Sequence, residues 1–388
     1  MSVLKKDFTD KGKDMKKVLV IGMSSNLGGV ENFIINYFRN IDRSKIHMDF
    51  LLYEKHCVYE EEIKREGSVI YTLEEPRYKH CLLFSKHRKK LFKVLAKKYD
   101  YIWQNDCSLA NAYDLEIARR CGFENRIFHS HNSKGMRKDA KKYFYQIIHH
   151  INKKHIRKWA SLYWACSDEA ARFCFDKDII LEGKYQIIPN AIEMDRFYFN
   201  KKIRDKYRTQ MNLKDEIVLG CVGRLHFQKN QKFLLEVFRE IRDINNKTRL
   251  WLIGEGEDRE FLERRTKELG LENDVKFLGR REDVADLMQV MDIFVLPSVF
   301  EGFGIVLIEA QAAGLRVFAS DKVIPACVKI SSLLEFIDLS VDSKEWARII
   351  CDKIYYDRKN MESELKNCKY NIKYMIKEFE ENILHCGK

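Results

Sequence analysis

The sequence predicts an α/β chain built from two Rossmann-like doubly wound domains. Its 388 residues are more than a single hydrophobic core usually serves, and this length suits two domains of roughly 150–200 residues each. Short apolar runs alternate with helical stretches along the chain, the pattern of a parallel sheet covered by helices on both faces. These runs fall into two series separated by a stretch without one. We therefore expect two such domains that face each other across a cleft.

The first series of predicted strands comprises 17–23, 47–53, 68–73, 99–105, 125–131 and 162–167. The second comprises 216–223, 248–254, 274–279, 292–297 and 315–320. The break lies within 187–202, and a long helix-forming segment, about 343–386, ends the chain. The predicted division is a disordered leader at 1–16, a first domain at 17–190 and a second domain at 191–369. A last helix, 370–388, is expected to pack back on the first domain.

The positive charge is confined to the first half of the chain. The net charge is +12; residues 1–190 hold 36 Lys/Arg against 24 Asp/Glu, and the remainder holds 34 of each. Such a field suits nucleic acid or an anionic membrane. Two basic segments, 79–101 and 134–159, interleave cations with apolar residues at helical spacing. That pattern fits a helix on a membrane surface and equally a core-facing helix with a solvated outer face.

The cysteines and the apolar runs bear on location. The chain has 11 cysteines, an odd number, and none forms a C-x-x-C pair. Cys166, Cys174 and Cys221 lie in apolar runs and are predicted to be reduced core thiols. No apolar run approaches the ~20 residues that span a bilayer. We expect a cytoplasmic protein, at most peripheral on the inner face of the plasma membrane.

A glycine-bearing loop at 296–314 carries the richest pattern. A strand ends at Pro297, Glu301 and two glycines follow, and a helix begins near Ile305. The free N–H groups at such a helix start form an anion site suited to a diphosphate. Glu309 lies just over one turn into the helix, so it and Glu301 can accept hydrogen bonds from sugar hydroxyls. The structural alternative is that Glu309 only lines a surface helix face.

A second loop, at 221–238, supplies positive charge. Its strand ends at Gly223, and Arg224 and Lys229 flank the next helix start. Two fixed cations there can neutralise the negative charge that builds on a departing diphosphate. Taken alone, the two side chains would be solvated residues at a helix start.

Together these motifs resemble the retaining GT-B glycosyltransferases, family 4 in particular, over about 17–385. The resemblance implies a hexosyl-type transferase (EC 2.4) that uses a nucleotide-diphosphate sugar, expected to be a UDP-sugar, with retention and without a metal or other cofactor. It implies that Arg224 and Lys229 bind the pyrophosphate, Glu309 the ribose, and Glu301 the transferred sugar. The other donor-binding positions that it implies are Gly28, Gly29, Gly254, Gly256, Gly279, Arg280, Gly302, Phe303, Gly304, Ile305 and Val306.

In the first half, 129–132 resembles the family's strand-end histidine segment. The resemblance places His131 at the reaction centre or acceptor, whereas the structural alternative is a histidine bonded to backbone. Asn190 matches the family's interdomain turn, although Ala191 replaces a glycine there, and Arg316 stands where the family usually has proline. The likeness to capsular and exopolysaccharide enzymes implies a glycan or polyprenyl-linked acceptor in surface polysaccharide synthesis.

The sequence also suggests two alternative functions and two candidate metal sites. A sugar-nucleotide epimerase would share the architecture, and a basic nucleic-acid-binding protein would share the charge, but no nucleic-acid fold signature is present. Asp176 and Asp178 have the D-x-D form of metal-dependent transferases, yet they follow a helical stretch rather than a strand. The set His149, His150 and His155 is expected to form a solvated helix face rather than a metal cluster. We therefore expect no metal and no nucleic acid partner.

Overall fold

The computed structural model describes residues 15–26, 28–73, 92–93, 95–132 and 142–385. Its contacts divide the chain into two compact units, Met1–Ala191 with Ile372–Lys388, and Ile192–Asn371. Residues 1–14 of the predicted leader and parts of both basic segments lie outside the described residues.

The first unit contains a seven-stranded parallel sheet in the order β3-β2-β1-β4-β5-β6-β7. Its strands are β1 (Lys16–Ile21), β2 (Ile46–Leu52), β3 (Ile70–Thr72), β4 (Tyr101–Asp106), β5 (Asn125–Ser130), β6 (Leu162–Ala165) and β7 (Tyr185–Ile187). Its helices are α1 (Gly29–Asn40), α2 (Glu60–Arg65), α3 (Tyr113–Arg120), α4 (Lys142–Trp159), α5 (Asp168–Cys174), α6 (Lys177–Leu181) and, from the end of the chain, α14 (Ile372–His385).

The second unit contains a six-stranded parallel sheet in the order β10-β9-β8-β11-β12-β13. Its strands are β8 (Ile217–Val222), β9 (Thr248–Ile253), β10 (Val275–Gly279), β11 (Ile293–Leu296), β12 (Arg316–Ser320) and β13 (Leu334–Ile337). Its helices are α7 (Lys201–Gln210), α8 (Gln231–Ile244), α9 (Arg259–Glu268), α10 (Val284–Val290), α11 (Ile305–Ala312), α12 (Ser343–Cys351) and α13 (Glu362–Leu365).

The burial of β1 explains why its sequence is a continuous apolar run. Val18 and Val20 belong to one hydrophobic core, and Leu19 and Ile21 belong to a second core on the other face of the sheet. Successive side chains of a strand point to opposite faces, so a strand covered on both sides needs apolar residues at every position. The predicted α/β class with two doubly wound Rossmann-like domains is confirmed.

The chain end differs from the prediction. The prediction of a single helix-forming segment at 343–386 was wrong, because the structure forms α12, α13 and α14 with non-helical stretches between them. Between α12 and α13, the Arg358 guanidinium donates to the carbonyl oxygens of Met288, Gln289, Met291 and Ala313 at 2.7–3.0 Å. This reach into the carbonyl ends of α10 and α11 takes the stretch out of a continuous helix. The short strands β7 and β13 were not predicted.

The predicted solvated face of His149, His150 and His155 is also corrected. His149 is buried: its Nδ1 accepts from the Leu109 N–H at 3.1 Å, and its Nε2 donates to the Phe173 carbonyl at 3.0 Å. Burial lowers the pKa of His149 to about 4, so the ring is neutral. His149 therefore forms hydrogen bonds with backbone groups of two other segments of the chain, while His150 and His155 are exposed.

The D-x-D pair has a structural explanation in the same unit. The Asp176 carboxylate caps α6 by accepting from the Ile179 N–H at 2.9 Å. The Arg157 guanidinium lies 3.6 Å from Asp176 and 3.6 Å from Asp178. Both carboxylates are thus accounted for by a helix cap and a surface ion pair.

Two further expectations concern the thiols and the length of apolar helices. Cys166, Cys174 and Cys221 are buried free thiols, as predicted. Within the described part of the chain, none of the helices has both the length and the apolar character to cross a bilayer.

Helix α14 completes the core of the first unit. The Phe379 ring lies 4.8 Å from the ring of Tyr37 on α1, 5.2 Å from Trp103 on β4 and 5.5 Å from Trp164 on β6. Phe379 has no exposed surface, so residues from the end of the chain seal a core formed by its first half.

We expect Phe379→Ala to lower the free energy of unfolding of the first unit by about 3–5 kcal/mol, because the lost ring leaves a cavity between two tryptophans. Urea denaturation followed by tryptophan fluorescence measures this change. The matched control is Tyr374→Ala on the same helix, whose side chain is 48% exposed and should cost under about 0.5 kcal/mol. Equal losses in both variants would contradict the assignment of α14 to this core.

Candidate active site

The predicted residues of the second unit lie at one edge of its sheet. Gly223 and Arg224 follow β8, Gly254 follows β9, Gly279 ends β10, and Glu301 lies in the loop after β11. The order β10-β9-β8-β11 makes these strands neighbours, and all of their pairings are parallel. Their carboxyl ends therefore meet at the same edge, where open parallel sheets bind ligands.

The loops after β8, β9 and β10 touch through their backbones. The Leu225 N–H donates to the Glu255 carbonyl at 3.0 Å, and the Gly254 N–H donates to the Gly279 carbonyl at 2.8 Å. A Cβ on Gly254 would lie 2.1 Å from the Gly223 carbonyl oxygen, and one on Gly256 would lie 2.1 Å from the Leu225 carbonyl oxygen. Glycine is required at both positions because the clash is with backbone, which cannot move aside as a side chain can.

The loops after β8 and β11 bring Lys229 and Glu301 together. The Val299 N–H donates to the Gln228 carbonyl at 2.7 Å, and the Gln228 amide donates to the Phe300 carbonyl at 3.0 Å. The Lys229 Nζ then lies 2.7 Å from the Glu301 Oε1, with side chains only 16% and 6% exposed.

A second donor holds the Glu301 carboxylate in place. The Ser298 hydroxyl donates to the same Glu301 Oε1 at 2.6 Å. Sequence reasoning gave Lys229 and Glu301 separate roles and did not include Ser298, although its position directly after Pro297 at a strand end could have indicated it. The other Glu301 oxygen has no hydrogen bond within the described part of the chain, so it can accept one from a ligand hydroxyl.

Arg224 occupies a different environment. Its side chain is 69% exposed and its Nη2 lies 3.0 Å from the Glu257 Oε2, while the His226 Nε2 lies 3.2 Å from the Glu257 Oε1. Among the described residues, no hydrogen bond or ion pair connects Arg224 to Lys229 or Glu301. An exposed pair of this kind contributes little free energy, so the guanidinium can leave Glu257 for another anion at small cost. Neither Glu257 nor His226 was predicted.

Helix α11 begins four residues after Glu301, the acidic member of the Lys229–Glu301 pair. Gly304 precedes it with φ +79°, a left-handed conformation that favours glycine. The first backbone N–H groups of a helix, here those of Ile305 and Val306, have no partner within the helix and can donate to an anion. Gly302 is exposed, and the Phe303 ring lies 5.3 Å from that of Tyr370. The helix start is thus adjacent to the buried Glu301 carboxylate.

Glu309 lies further along α11 and is not paired with a cation. The side chain is partly buried, and its carboxylate has no hydrogen bond or ion pair within the described residues. Burial raises the pKa of Glu309 to about 7, against a smaller lowering by the charge of Arg196. At neutral pH the group is therefore present both as a carboxylate and as a carboxylic acid, and it can accept from or donate to a ligand hydroxyl. Arg280, also predicted here, is exposed.

In the first unit, His131 follows β5 and is held by a side chain. Its Nε2 lies 2.9 Å from the Asn105 Oδ1, and the Asn105 amide nitrogen donates to the Ile21 carbonyl at 3.4 Å. This orientation of the amide makes Nε2 the donor and leaves Nδ1 unprotonated. Burial lowers the pKa of His131 to about 3, so the ring is neutral at physiological pH and stacks on His129 at 4.4 Å. The structure thus gives His131 a side-chain partner where the structural alternative assumed backbone.

The glycine loop before α1 lies next to carboxylates. The Ser24 hydroxyl donates to the Glu31 Oε1 at 2.5 Å, and the Ser25 N–H donates to the Glu54 Oε2 at 2.8 Å. A Cβ on Gly28 would lie 2.7 Å from the Glu31 Oε2, whereas one on Gly29 would meet nothing within 4 Å. Because Glu31 repels phosphate, this loop is better suited to neutral hydroxyl groups than to a diphosphate. The predicted phosphate contact of Gly28 and Gly29 stays a prediction.

The two departures from the family pattern are accommodated locally. Ala191 does not have a left-handed backbone, so no glycine is needed after the buried Asn190. The Arg316 N–H donates to the Tyr356 hydroxyl at 3.0 Å, and its guanidinium lies 5.2 Å from the centre of that ring. A proline at 316 would lack this donor.

Comparison with known proteins gives a family match and several relatives. Residues 203–336 match the family model described as glycosyl transferases group 1. The chain is 29% identical over 337 residues to the putative glycosyltransferase EpsF of Bacillus subtilis, covering 86% of this chain and 87% of EpsF. It is 26% identical over 235 residues to the UDP-Gal:alpha-D-GlcNAc-diphosphoundecaprenol alpha-1,3-galactosyltransferase of Escherichia coli, covering 56% and 59% of the two chains.

Solved structures give the same fold. The crystal structure of HepE from Anabaena in complex with UDP has a TM-score of 0.74 at 20% identity, covering 95% of this chain and 99% of HepE. Its complex with UDP-glucose has a TM-score of 0.70 at 20% identity, with the same coverage. The predictions of a GT-B fold and of a glycosyltransferase are confirmed, whereas family 4 and retention stay predictions.

We expect Gly256→Ala to destabilise the second unit by roughly 1–3 kcal/mol, because its Cβ would overlap the Leu225 carbonyl oxygen. Thermal unfolding followed by circular dichroism measures the change. The control is Gly29→Ala, which meets open space at the start of α1 and should change stability by under about 1 kcal/mol. A neutral Gly256→Ala would mean that the loops after β8 and β9 do not approach this closely.

We expect Glu309→Gln to remove a pH dependence of stability. The folded pKa of about 7 exceeds the ordinary 4.5, so the folded state binds the proton more tightly and wild-type stability falls as pH rises from 4.5 through 7. The glutamine variant should match the wild type near pH 4 and exceed it by roughly 1–3 kcal/mol at pH 8. Urea titrations at several pH values test this, with the exposed Glu272→Gln as control. A constant difference at all pH values would contradict it.

Proposed function

We propose that the protein moves a sugar from a UDP-sugar to a glycan or lipid-linked acceptor in surface polysaccharide synthesis. Residues 203–336 match the family model of glycosyl transferases group 1, which supports this proposal. The proposal includes retention at the anomeric carbon, membership of family 4 and independence of metal. It rests on the Lys229–Glu301 pair at the start of α11.

The surroundings of this pair support the proposal in two ways. A diphosphate that approaches the N–H groups of Ile305 and Val306 also approaches the Lys229 ammonium. The Glu301 carboxylate, held by Ser298, then has an oxygen for the hydroxyls of the attached sugar. Glu309 is proposed to bind the ribose hydroxyls, since it is free of cation partners within the described residues and carries a raised pKa.

The cations supply the charge that the reaction generates. When the bond between the anomeric carbon and the phosphate oxygen breaks, negative charge grows on the diphosphate, and Lys229 and Arg224 neutralise it. Arg224 reaches it by leaving its exposed pair with Glu257. Two side-chain cations take the place that a divalent cation has in metal-dependent transferases, which is the basis for proposing a metal-independent reaction.

Retention follows if the acceptor attacks from the face that the diphosphate leaves. The departing phosphate oxygen then takes the proton of the acceptor hydroxyl, so no side chain is required as general base. His131 is proposed to contact the acceptor as a neutral ring, because burial holds its pKa at about 3.

Relatives support the choice of donor and acceptor. The Anabaena HepE structures hold UDP and UDP-glucose, and the name of the Escherichia coli relative gives UDP-Gal as donor and a diphosphoundecaprenol glycan as acceptor. A lipid-linked acceptor also agrees with the excess of positive charge in residues 1–190, which favours a cytoplasmic enzyme at an anionic membrane surface.

We expect one UDP-sugar to raise the melting temperature of the wild type in a panel of UDP- and GDP-sugars. Arg224→Ala and Glu309→Gln should lose most of that shift, because one removes a diphosphate contact and the other a carboxylate. Arg239→Ala and Glu272→Gln, at exposed positions elsewhere in the second unit, are the matched controls and should keep it.

Two results would contradict the proposal. A wild-type shift that EDTA abolishes would overturn metal independence. UDP release at the same rate with and without an acceptor glycan would indicate a hydrolase in place of a transferase.

A further inference from the structure

Helix α4 carries apolar side chains on its solvent face, where a surface helix ordinarily carries polar ones. Tyr143, Ile147 and Ile151 are 73%, 59% and 52% exposed, and Phe144 is 45% exposed. The first three are spaced four residues apart, so they form one line along the helix. We call these four residues the apolar stripe of α4.

The stripe is additional to the face that holds α4 in the fold. His149, Asn152, Ile156 and Trp159 are buried. The Asn152 amide donates to the Leu109 carbonyl at 2.7 Å, which fixes the rotation of the helix. A core-facing helix with a solvated outer face therefore describes only half of α4, because its outer face is apolar as well.

Positive charge continues the stripe toward the end of the helix. The sequence of α4 contains five Lys/Arg and no Asp or Glu. Lys154 and Lys158, three and seven residues after Ile151, are exposed on the same side, and neither has an ion pair within the described residues. Lys153 and Arg157 differ, since they bond to the Phe173 carbonyl and to Glu182.

We infer that this face of α4 lies on an anionic lipid bilayer, with the apolar stripe in the boundary between headgroups and acyl chains and with Lys154 and Lys158 against lipid phosphates. An amphipathic helix on a bilayer buries its apolar side chains about 5–10 Å into the boundary between headgroups and acyl chains, while its cations attract anionic lipids. The apolar stripe and the two lysines fit these two requirements. A second copy of the chain fits worse, because it would bring two cationic faces together.

The proposed function includes a membrane contact, and this face of α4 is the part of the protein that would make it. This contact does not depend on sugar transfer, and vesicle binding can be measured without donor or acceptor. Failure of one is therefore distinguishable from failure of the other.

The experiment is co-sedimentation of the full chain with phosphatidylcholine vesicles that contain either no anionic lipid or about 30% phosphatidylglycerol. We expect the wild type to bind the anionic vesicles and to leave them as salt is raised. The double variant Ile147→Ser with Ile151→Ser should bind at least about tenfold more weakly, because it removes buried methylene groups from the lipid contact. The double variant Lys154→Glu with Lys158→Glu should lose about as much.

Matched controls come from the same unit. Leu181→Ser removes an apolar side chain that is 83% exposed on α6. Lys377→Glu reverses an exposed charge on α14, whose apolar residues belong to the core on the other face of the sheet from the core that holds α4. Both should bind vesicles within about twofold of the wild type. Equal losses in the controls, or equal wild-type binding to neutral and anionic vesicles, would overturn the inference. A dimer in solution that the Ile147→Ser, Ile151→Ser variant converts to a monomer would also overturn it.

Discussion

Parallel pairing of every strand in both sheets is the constraint on which the rest of the structure depends. It sends the carboxyl ends of four neighbouring strands in the second unit to one edge and requires helices on both faces. The loops there can then contact one another through backbone, but only where no Cβ intervenes, as at Gly254 and Gly256. Side chains far apart in the chain, such as Lys229 and Glu301, become neighbours as a result.

Charge at this edge is distributed in two ways. The Lys229–Glu301 pair is nearly buried, so each group compensates the cost of burying the other. Glu309 is partly buried and forms no ion pair within the described residues, and burial raises its pKa. Arg224 is exposed by comparison and pairs with Glu257. The candidate site therefore combines a nearly buried ion pair, a partly buried acid with a raised pKa and an exposed cation.

Much of the fold could be predicted because apolar runs and their spacing report directly on parallel strands. The continuous run of β1 reflects two cores, one on each face. The sequence could not indicate that Arg358 lies outside a helix and donates to carbonyl groups some seventy residues away. It also could not indicate that His149 is buried between Leu109 and Phe173. These features depend on tertiary contacts that local periodicity does not encode. For the same reason the motifs identified Lys229 and Glu301 but not their direct contact, nor the part of Ser298 in it.

The contribution of α14 to the first unit has a consequence for biosynthesis. Phe379 fills a space between Tyr37, Trp103 and Trp164, so the first unit cannot complete its core until the ribosome has made residues beyond 371. The second unit, Ile192–Asn371, is continuous in sequence and has its whole core available earlier. Domains generally fold as units during synthesis. Here the half of the protein that is translated first is the half that finishes folding last.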